Sequence, residues 1–245
     1  MAHRVSIVAH RGDSGAYPEN TLLALRKALE VGVDMIEVDV HLTKDRGLVL
    51  IHDPTVNRTS NGRGKVCDLT FAEIRKLDAG SWMSPQFAGE GMPTLAEAVA
   101  VVPRDVRLNV HVKAYDHDRA VLARLVVDEL VARNRLDTAF IASDIETVGE
   151  VRRRNPAIAR CNLTRADSPD YVQMSKAAGC RVLQPGRTGC TRALVEEAHR
   201  EGMEVNVFYA DTVEDMRKFI ALGVDGILTN YPARLKHLLA VERSH

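Results

Sequence analysis

The sequence predicts an α/β protein whose parallel strands close into a (β/α)8 barrel of the TIM type. From Pro93 onward, short apolar strands alternate with helical patterns, as right-handed βαβ units require. The 245 residues also suit one barrel domain. An open, doubly wound sheet is the alternative. The turn at 10–15 contains glycine but lacks the G-x-G-x-x-G spacing typical of that fold.

The sequence of residues 1–51 predicts three strands and one helix. Between the first two strands, Pro18-Glu19-Asn20-Thr21 is a helix start signal, and apolar residues then recur at helical spacing until Gly32. The third strand follows a turn and is expected to run antiparallel to its neighbour or to extend it as a hairpin. The predicted strands cover 6–10, 33–40 and 48–51.

Residues 54–92 depart from this pattern and are predicted to form a small inserted subdomain after the third strand. The segment is rich in turn-forming residues, and one short helix is predicted over 70–77. A long irregular segment inside a compact domain is usually functional. We therefore interpret 1–245 as a single barrel domain that carries this insertion.

Beyond Pro93, predicted helices and strands alternate regularly. The helices cover 94–102, 117–134, 144–154, 169–178, 191–201, 212–222 and 232–242. The strands between them cover 107–113, 138–143, 158–163, 181–184, 203–209 and 224–229. In such a barrel the carboxyl ends of all strands lie at one end, where catalytic groups are found.

The composition argues against several classes of protein. Lys+Arg and Asp+Glu both number 33, and this balance argues against non-specific nucleic-acid binding. The four cysteines show no Cys-x-x-Cys pair, so we expect free thiols in a reducing compartment. No signal peptide and no apolar stretch of membrane-spanning length is evident, so the sequence predicts a cytoplasmic protein without integral membrane contact.

Polar residues cluster at the ends of the first three strands. Glu37 and Asp39 are two apart on one strand and share a face, where a divalent cation would relieve their mutual repulsion. His10 and His52 each follow an apolar run and could divide the roles of general base and general acid. Arg11 offers a planar partner for phosphate oxygens. The combination suits metal-assisted chemistry on a phosphate ester.

The strand predicted at 107–113 adds further polar groups. Asn109, His111 and Lys113 alternate with apolar residues and therefore share one face, which is too polar to be core filling. His111 could complete a metal site with the acidic pair, and Lys113 could neutralise a phosphate oxygen.

The remaining histidines are predicted to lie at the surface. His41 continues the face of the acidic pair and is expected to be solvated where the strand ends, although a further metal ligand is the alternative. The other five have no polar cluster near them in sequence: His3, His117, His199, His237 and His245.

Together, these residues resemble the glycerophosphodiester phosphodiesterase family. The family signature is His-Arg, then Glu-x-Asp, then His-Asp, which here are His10-Arg11, Glu37-Val38-Asp39 and His52-Asp53. Further matches are the Pro-Glu-Asn-Thr segment, parts of the insertion and the last strand with its turn; they lie at 18–21, 58–62, 77–80, 93–95 and 223–232. The resemblance therefore covers the whole chain.

The resemblance implies a (β/α)8 barrel with a small insertion. It also implies hydrolysis of a small-molecule glycerophosphodiester to sn-glycerol 3-phosphate and an alcohol, with Mg2+ or Ca2+. In family terms the site residues are His10 and His52 as the acid/base pair, Arg11 and Lys113 for the phosphate, Glu37 and Asp39 for the metal, and Glu19 and Asp53 in support. One histidine would help the glycerol 2-hydroxyl attack phosphorus, and the other would protonate the leaving alcohol. Water would then open a cyclic phosphate.

Three departures from the family pattern bear on the metal and on the substrate. His111 stands where the family has its third metal-binding Glu, which should favour Mn2+, Co2+ or Zn2+ over harder ions. Phe208-Tyr209-Ala210-Asp211 replaces a Trp-Thr-Val-Asn motif, and Asn230 replaces an Asp. The alternatives are therefore the same chemistry on a sugar phosphodiester or a lysophospholipid, or a catalytically impaired homologue that binds a phosphate ligand. The sequence leaves the oligomeric state open.

Overall fold

The computed structural model describes residues 4–242, and within them eight parallel strands form a closed barrel. The barrel strands are β1 (Ser6–His10), β2 (Met35–Leu42), β4 (Arg107–Val112), β5 (Ala139–Ser143), β6 (Ala159–Asn162), β7 (Val182–Leu183), β8 (Glu204–Val207) and β9 (Gly226–Thr229). They pair in that order around the barrel, and β1 closes it by pairing with both β2 and β9. The predicted barrel is confirmed, and the open sheet is not formed.

The third strand of the chain, β3 (Leu48–Leu50), lies outside the barrel ring. It pairs antiparallel with the end of β2, with Val40 opposite Leu50. This confirms the predicted hairpin and places the segment after β3 beside the barrel mouth.

The helices alternate with the strands nearly as predicted. They are α1 (Leu22–Val31), α2 (Phe71–Ile74), α3 (Leu95–Val101), α4 (Arg119–Ala132), α5 (Ile145–Arg154), α6 (Tyr171–Ala177), α7 (Arg192–Arg200), α8 (Val213–Leu222) and α9 (Pro232–Glu242). Most boundaries fall within two residues of the prediction. The helix predicted over 70–77 ends earlier, at Ile74, and the strand predicted over 203–209 ends at Val207.

Two apolar layers hold the barrel together. The larger one lies between the strands and the surrounding helices. The smaller one fills the barrel interior with Val8, Met35, Phe140, Ala142, Cys161, Val182 and Leu228. Because side chains alternate along a strand, the positions that follow Val8 and Met35 on the inward face are His10 and Glu37. The interior of the barrel therefore leads into the polar groups at its carboxyl end.

The inserted segment at 54–92 has a small apolar cluster of its own. Val56, Val66 and Ile74 pack with residues of β3 and its continuation. The segment contains α2 and two short 3-10 turns, Val66–Asp68 and Pro85–Phe87. Its description as a subdomain stays a prediction.

Two further expectations concern thiols and membranes. The four cysteines are free, and Cys161, Cys180 and Cys190 are buried. No helix among the described residues is both long and apolar enough to cross a bilayer. The compartment stays a prediction.

Candidate active site

The carboxyl ends of β1, β2 and β4 bring the predicted site residues together. In the strand register His10 lies beside Glu37, and Asp39 lies beside His111. One ligand atom from each of Glu37, Asp39 and His111 lies within 4.8 Å of the others. The Nδ1 atom of His111 is 3.3 Å from Asp39 Oδ1 and 3.9 Å from Glu37 Oε1.

The two carboxyl groups of this cluster differ in how readily they ionise. Burial, and then the neighbouring Asp39, raises the pKa of Glu37 to about 8. Burial also opposes ionisation of Asp39, but His111 and Lys113 outweigh it and hold the pKa of Asp39 well below its ordinary value. The buried Oδ1 atom of Asp39 lies close to Lys113 Nζ and His111 Nδ1, but neither contact has the geometry of a hydrogen bond. Two carboxyl groups and an imidazole whose ligand atoms lie this close together fit a divalent cation.

Two cationic side chains border the cluster. Lys113 Nζ lies 3.1 Å from Asp39 Oδ1, and Arg11 Nε lies 3.2 Å from Asp39 Oδ2. The backbone N–H of Arg11 donates to Glu37 Oε2 at 3.0 Å. Arg11 has a φ of +57° and the following Gly12 a φ of +82°, so the chain turns sharply after β1 and keeps Arg11 over the acidic pair.

The Pro-Glu-Asn-Thr segment supports the site with three successive side chains. Glu19 Oε1 accepts a hydrogen bond from Arg11 Nη1 at 2.9 Å. The amide of Asn20 donates to Asp39 Oδ2 at 3.0 Å and accepts from the Asp39 backbone at 3.2 Å. Thr21 caps α1 by accepting from the Ala24 N–H. The segment thus starts a helix and fixes two site residues.

His10 is held in one tautomer by its neighbours. Its Nδ1 lies 2.7 Å from Asn230 Oδ1, while the Asn230 amide nitrogen donates to Asp211 Oδ2 at 2.7 Å. Because Asn230 Oδ1 can only accept, Nδ1 of His10 carries the proton and Nε2 is left facing Glu37 Oε2 at 3.9 Å. Burial, and then the Arg11 charge, lowers the pKa of His10 to about 4. The ring is therefore neutral at pH 7.

His52 is oriented from the inserted segment. Its Nδ1 donates to Asp53 Oδ1 at 2.8 Å. Arg58 donates to both oxygens of Asp53, at 2.8 and 2.9 Å, and to both oxygens of Glu19, each at 2.9 Å. These bonds to Arg58 hold the pKa of Asp53 below its usual range.

Arg58 is a residue of this cluster that the sequence analysis did not single out. It appeared there only inside a motif shared with the family. Its partner Glu19 is 39 positions away, and no periodicity connects an arginine in a turn-rich loop to that residue.

One expectation about the other histidines was wrong. His41 is buried rather than solvated, because β3 and the segment after it cover the end of β2, and its Nε2 lies 3.1 Å from the His52 carbonyl. It stands outside the metal cluster. His117, His199 and His237 are exposed, as predicted. The predictions for His3 and His245 fall outside the described residues.

Two cavities are lined by His111. The larger, of about 430 Å³, is also lined by Glu37 and Asn109 and extends to Tyr209. The other, of about 410 Å³, is lined by Lys113, Tyr115 and Asp144 among others. Both cavities therefore adjoin the acidic cluster through His111.

The closed barrel and the groups at the carboxyl ends of its strands suit a phosphoric diester hydrolase, and comparison with known proteins shows this class. The family model for the glycerophosphoryl diester phosphodiesterase family matches residues 10–234. The chain belongs to this family, as the sequence analysis predicted.

Similar proteins support this assignment over nearly the whole chain. A glycerophosphodiester phosphodiesterase of Caldanaerobacter subterraneus subsp. tengcongensis is 35% identical, with 95% of this chain and 97% of the relative covered. One from Bacillus subtilis is 30% identical, with 94% and 84% covered. A phosphodiesterase of Oleispira antarctica, solved in complex with the product sn-glycerol-3-phosphate, superposes with a TM-score of 0.91 at 27% identity, over 96% of each chain.

Proposed function

We propose that this protein hydrolyses glycerophosphodiesters to sn-glycerol 3-phosphate and an alcohol by metal-dependent histidine catalysis. The observation that carries the proposal is the convergence of Glu37, Asp39 and His111 beside His10 and Lys113. The product named in the Oleispira structure supports this choice of substrate.

Glu37, Asp39 and His111 would hold one divalent cation. When bound, the cation would polarise the phosphoryl oxygens and offset the charge that develops on them. Burial lowers the pKa of His111, so its imidazole is neutral and able to ligate. The nitrogen donor favours Mn2+, Co2+ or Zn2+ over Mg2+ and Ca2+.

Arg11 and Lys113 would bind the phosphate. Both side chains are largely buried, with about one sixth of their surface exposed (15% and 16%), and both lie next to Asp39. A diester anion placed over the cluster would meet two cations that Glu19 and Asp39 already hold in position.

The two histidines would divide the proton transfers. Neutral His10, with Nδ1 committed to Asn230, would accept the proton of the glycerol 2-hydroxyl at Nε2 as that oxygen attacks phosphorus. His52, whose Nδ1 is hydrogen-bonded to Asp53, would donate the proton on its Nε2 to the oxygen of the leaving alcohol. Water would then open the cyclic phosphate with the proton transfers reversed, which restores both rings.

The direct test is turnover of glycerophosphocholine by the purified protein with each candidate ion, with sn-glycerol 3-phosphate as the measured product. His10→Gln and His52→Gln should each lower kcat by roughly 10²- to 10⁴-fold. The exposed His117→Gln variant should match the wild type. Folded protein that turns over no diester with any ion would overturn the proposal.

The metal assignment has a separate test by calorimetry. His111→Glu restores the carboxylate that the family carries, so it should raise the affinity for Mg2+ relative to Mn2+ by roughly tenfold. An unchanged ratio of the two affinities would show that His111 does not ligate the metal ion.

A second substrate is favoured by the surface of the barrel mouth. Tyr115, Phe208 and Tyr231 follow β4, β8 and β9, and 42%, 39% and 37% of their surfaces are exposed. An apolar rim of this kind suits a lysophospholipid. Faster turnover of lysophosphatidylcholine than of glycerophosphocholine would favour that substrate.

A further inference from the structure

Asn109 is a buried polar side chain with no partner among the described residues. Only 1% of its surface is exposed, yet neither its amide nitrogen nor its amide oxygen makes a hydrogen bond. Such a group is costly in a folded protein unless something else satisfies it. Asn109 lies beside Glu37 in the strand register and two residues before His111 on β4.

The cavity next to Asn109 indicates what could satisfy it. Asn109 lines the 430 Å³ space together with Glu37 and His111, so this space is continuous with the proposed metal cluster. A second carboxamide, Gln184, is also buried there, with 5% of its surface exposed. Most of the remaining wall is apolar, formed by Leu163, Ala166, Phe208, Tyr209 and Leu228.

The charged groups at the edge of this cavity are already engaged. Arg187 pairs with Asp215 at 2.8 Å. Asp167 accepts a hydrogen bond from the Gly189 N–H at 3.1 Å. Away from Glu37 and His111, a ligand in this cavity would therefore meet mainly carboxamides and apolar carbon, a combination that suits a neutral polyol with hydroxyl groups and C–H faces.

The position of Asn109 also indicates the length of a ligand that would reach from the metal cluster to its side chain. Two residues separate it from His111 by roughly 7 Å along β4, and because barrel strands are tilted by about 36°, it lies about 5 Å deeper in the barrel. A three-carbon polyol esterified to a phosphate beside His111 and Lys113 spans that depth. The other cavity, of about 410 Å³, is bordered by the exposed Tyr115, and the leaving alcohol would lie there.

We propose that Asn109 is a specificity-determining residue that hydrogen-bonds the non-reacting C1 hydroxyl of the glyceryl group in the 430 Å³ cavity. The inference rests on the proposed function and adds the side chain that recognises the glyceryl half of the substrate. A site built to hydrogen-bond a hydroxyl rejects an analogue that lacks it, because its own polar atoms are then left buried without partners.

The test compares two choline diesters. One is sn-glycero-3-phosphocholine, and the other is its 1-deoxy analogue, which keeps the reacting 2-hydroxyl and lacks the C1 hydroxyl. The wild type should show a kcat/KM roughly 10- to 100-fold lower for the deoxy diester. Asn109→Ala should bring the two values within about threefold, mainly by losing activity on the glyceryl diester. Asn206→Ala is the matched control, since Asn206 is also buried in the barrel but is not among the described residues that line this cavity.

Several outcomes would overturn the assignment. Equal rates of the wild type on both diesters would do so, as would an equal loss on both in Asn109→Ala, which indicates a purely structural role. A loss that varies with the leaving alcohol would place Asn109 on the other side of phosphorus. A parallel loss of Mn2+ affinity would make Asn109 a metal ligand.

A binding measurement separates this proposal from the proposed function. If neither diester is hydrolysed, calorimetry with sn-glycerol 3-phosphate and its 1-deoxy analogue still reports on the subsite. Discrimination that disappears in Asn109→Ala would uphold the subsite although hydrolysis fails. Equal binding of the two phosphates by the wild type would overturn it.

Discussion

Replacing Arg58 with glutamine should lower kcat while leaving the protein folded. Arg58 makes four hydrogen bonds of 2.8 to 2.9 Å, two to Asp53 and two to Glu19. Its side chain is 42% exposed, so solvent screens these ion pairs and the loss of stability should be only about 1 kcal/mol. Because Asp53 orients His52, the larger effect falls on proton transfer.

The expected loss in kcat is roughly 10- to 100-fold, the range for a catalytic group that is misplaced by about 1 Å. The assay is steady-state turnover of glycerophosphocholine, with a thermal melt of each variant. Arg58→Lys should recover only part of the rate, since one ammonium cannot reproduce the planar fork. Arg63→Gln, at an exposed arginine of the same inserted segment, is the control.

Two results would refute this reasoning. A kcat within twofold of the wild type in folded Arg58→Gln would mean that the inserted segment does not orient His52. An unchanged kcat with a raised KM would mean that Arg58 contacts the substrate instead.

Three further predictions follow from single contacts. Because the pKa of Glu37 is raised to about 8, its carboxyl group is mostly protonated at pH 7. Mn2+ binding should therefore release close to one proton, and the affinity for Mn2+ should rise between pH 6 and 8. Calorimetry in two buffers with different ionisation enthalpies measures the released proton, and the absence of any release would contradict the prediction. Gly12→Ala should destabilise the protein by more than about 1 kcal/mol, because the added Cβ would lie 2.6 Å from the backbone of α1 at a residue with a φ of +82°. Gly202 is the control: its φ is a similar +69°, but a Cβ added there would have no atom within 4 Å, so Gly202→Ala should lower the melting temperature less. The pKa of Glu97 is lowered to about 2, chiefly by its hydrogen bond to Arg75. The ionised carboxylate of Glu97 therefore stabilises the fold fully above about pH 4.5, and this stabilisation is lost as the pH falls to about 2. The melting temperatures of the wild type and of Glu97→Gln should accordingly converge on acidification.

The part of the site predictable from sequence is the part that strand geometry controls. Glu37 and Asp39 share a face because side chains alternate along a strand, and His10 and His111 join them because parallel strands place their carboxyl ends together. The same geometry explains why the helices and strands after Pro93 were predicted to within a few residues. Short apolar runs bounded by turns were sufficient for this.

The missed features depend on contacts between distant loops. Arg58 reaches Glu19 across the barrel mouth, and Asp211 fixes the Asn230 amide that orients His10. His41 was expected in solvent, and its burial depends on how the segment after β3 covers β2. Hydrophobic periodicity carries no information about such contacts, because they join irregular segments whose path is set by the whole fold.

A histidine rather than a glutamate at position 111 changes the net charge of the proposed site as well as its expected preference among metal ions. Arg11 and Lys113 lie within 3.2 Å of Asp39, so both cations are part of the cluster. With Glu19, Glu37 and Asp39 ionised and a divalent cation held by the cluster, this set of groups would carry one positive charge in excess. A phosphodiester carries one negative charge, so with a neutral imidazole at His111 the charge of the proposed site would match that of its substrate. A glutamate in that position would make the same set neutral before the substrate binds. His111→Glu should therefore weaken the binding of the anionic product while it strengthens the binding of Mg2+, and calorimetric titration of both ligands on one variant would show whether the two affinities move in opposite directions.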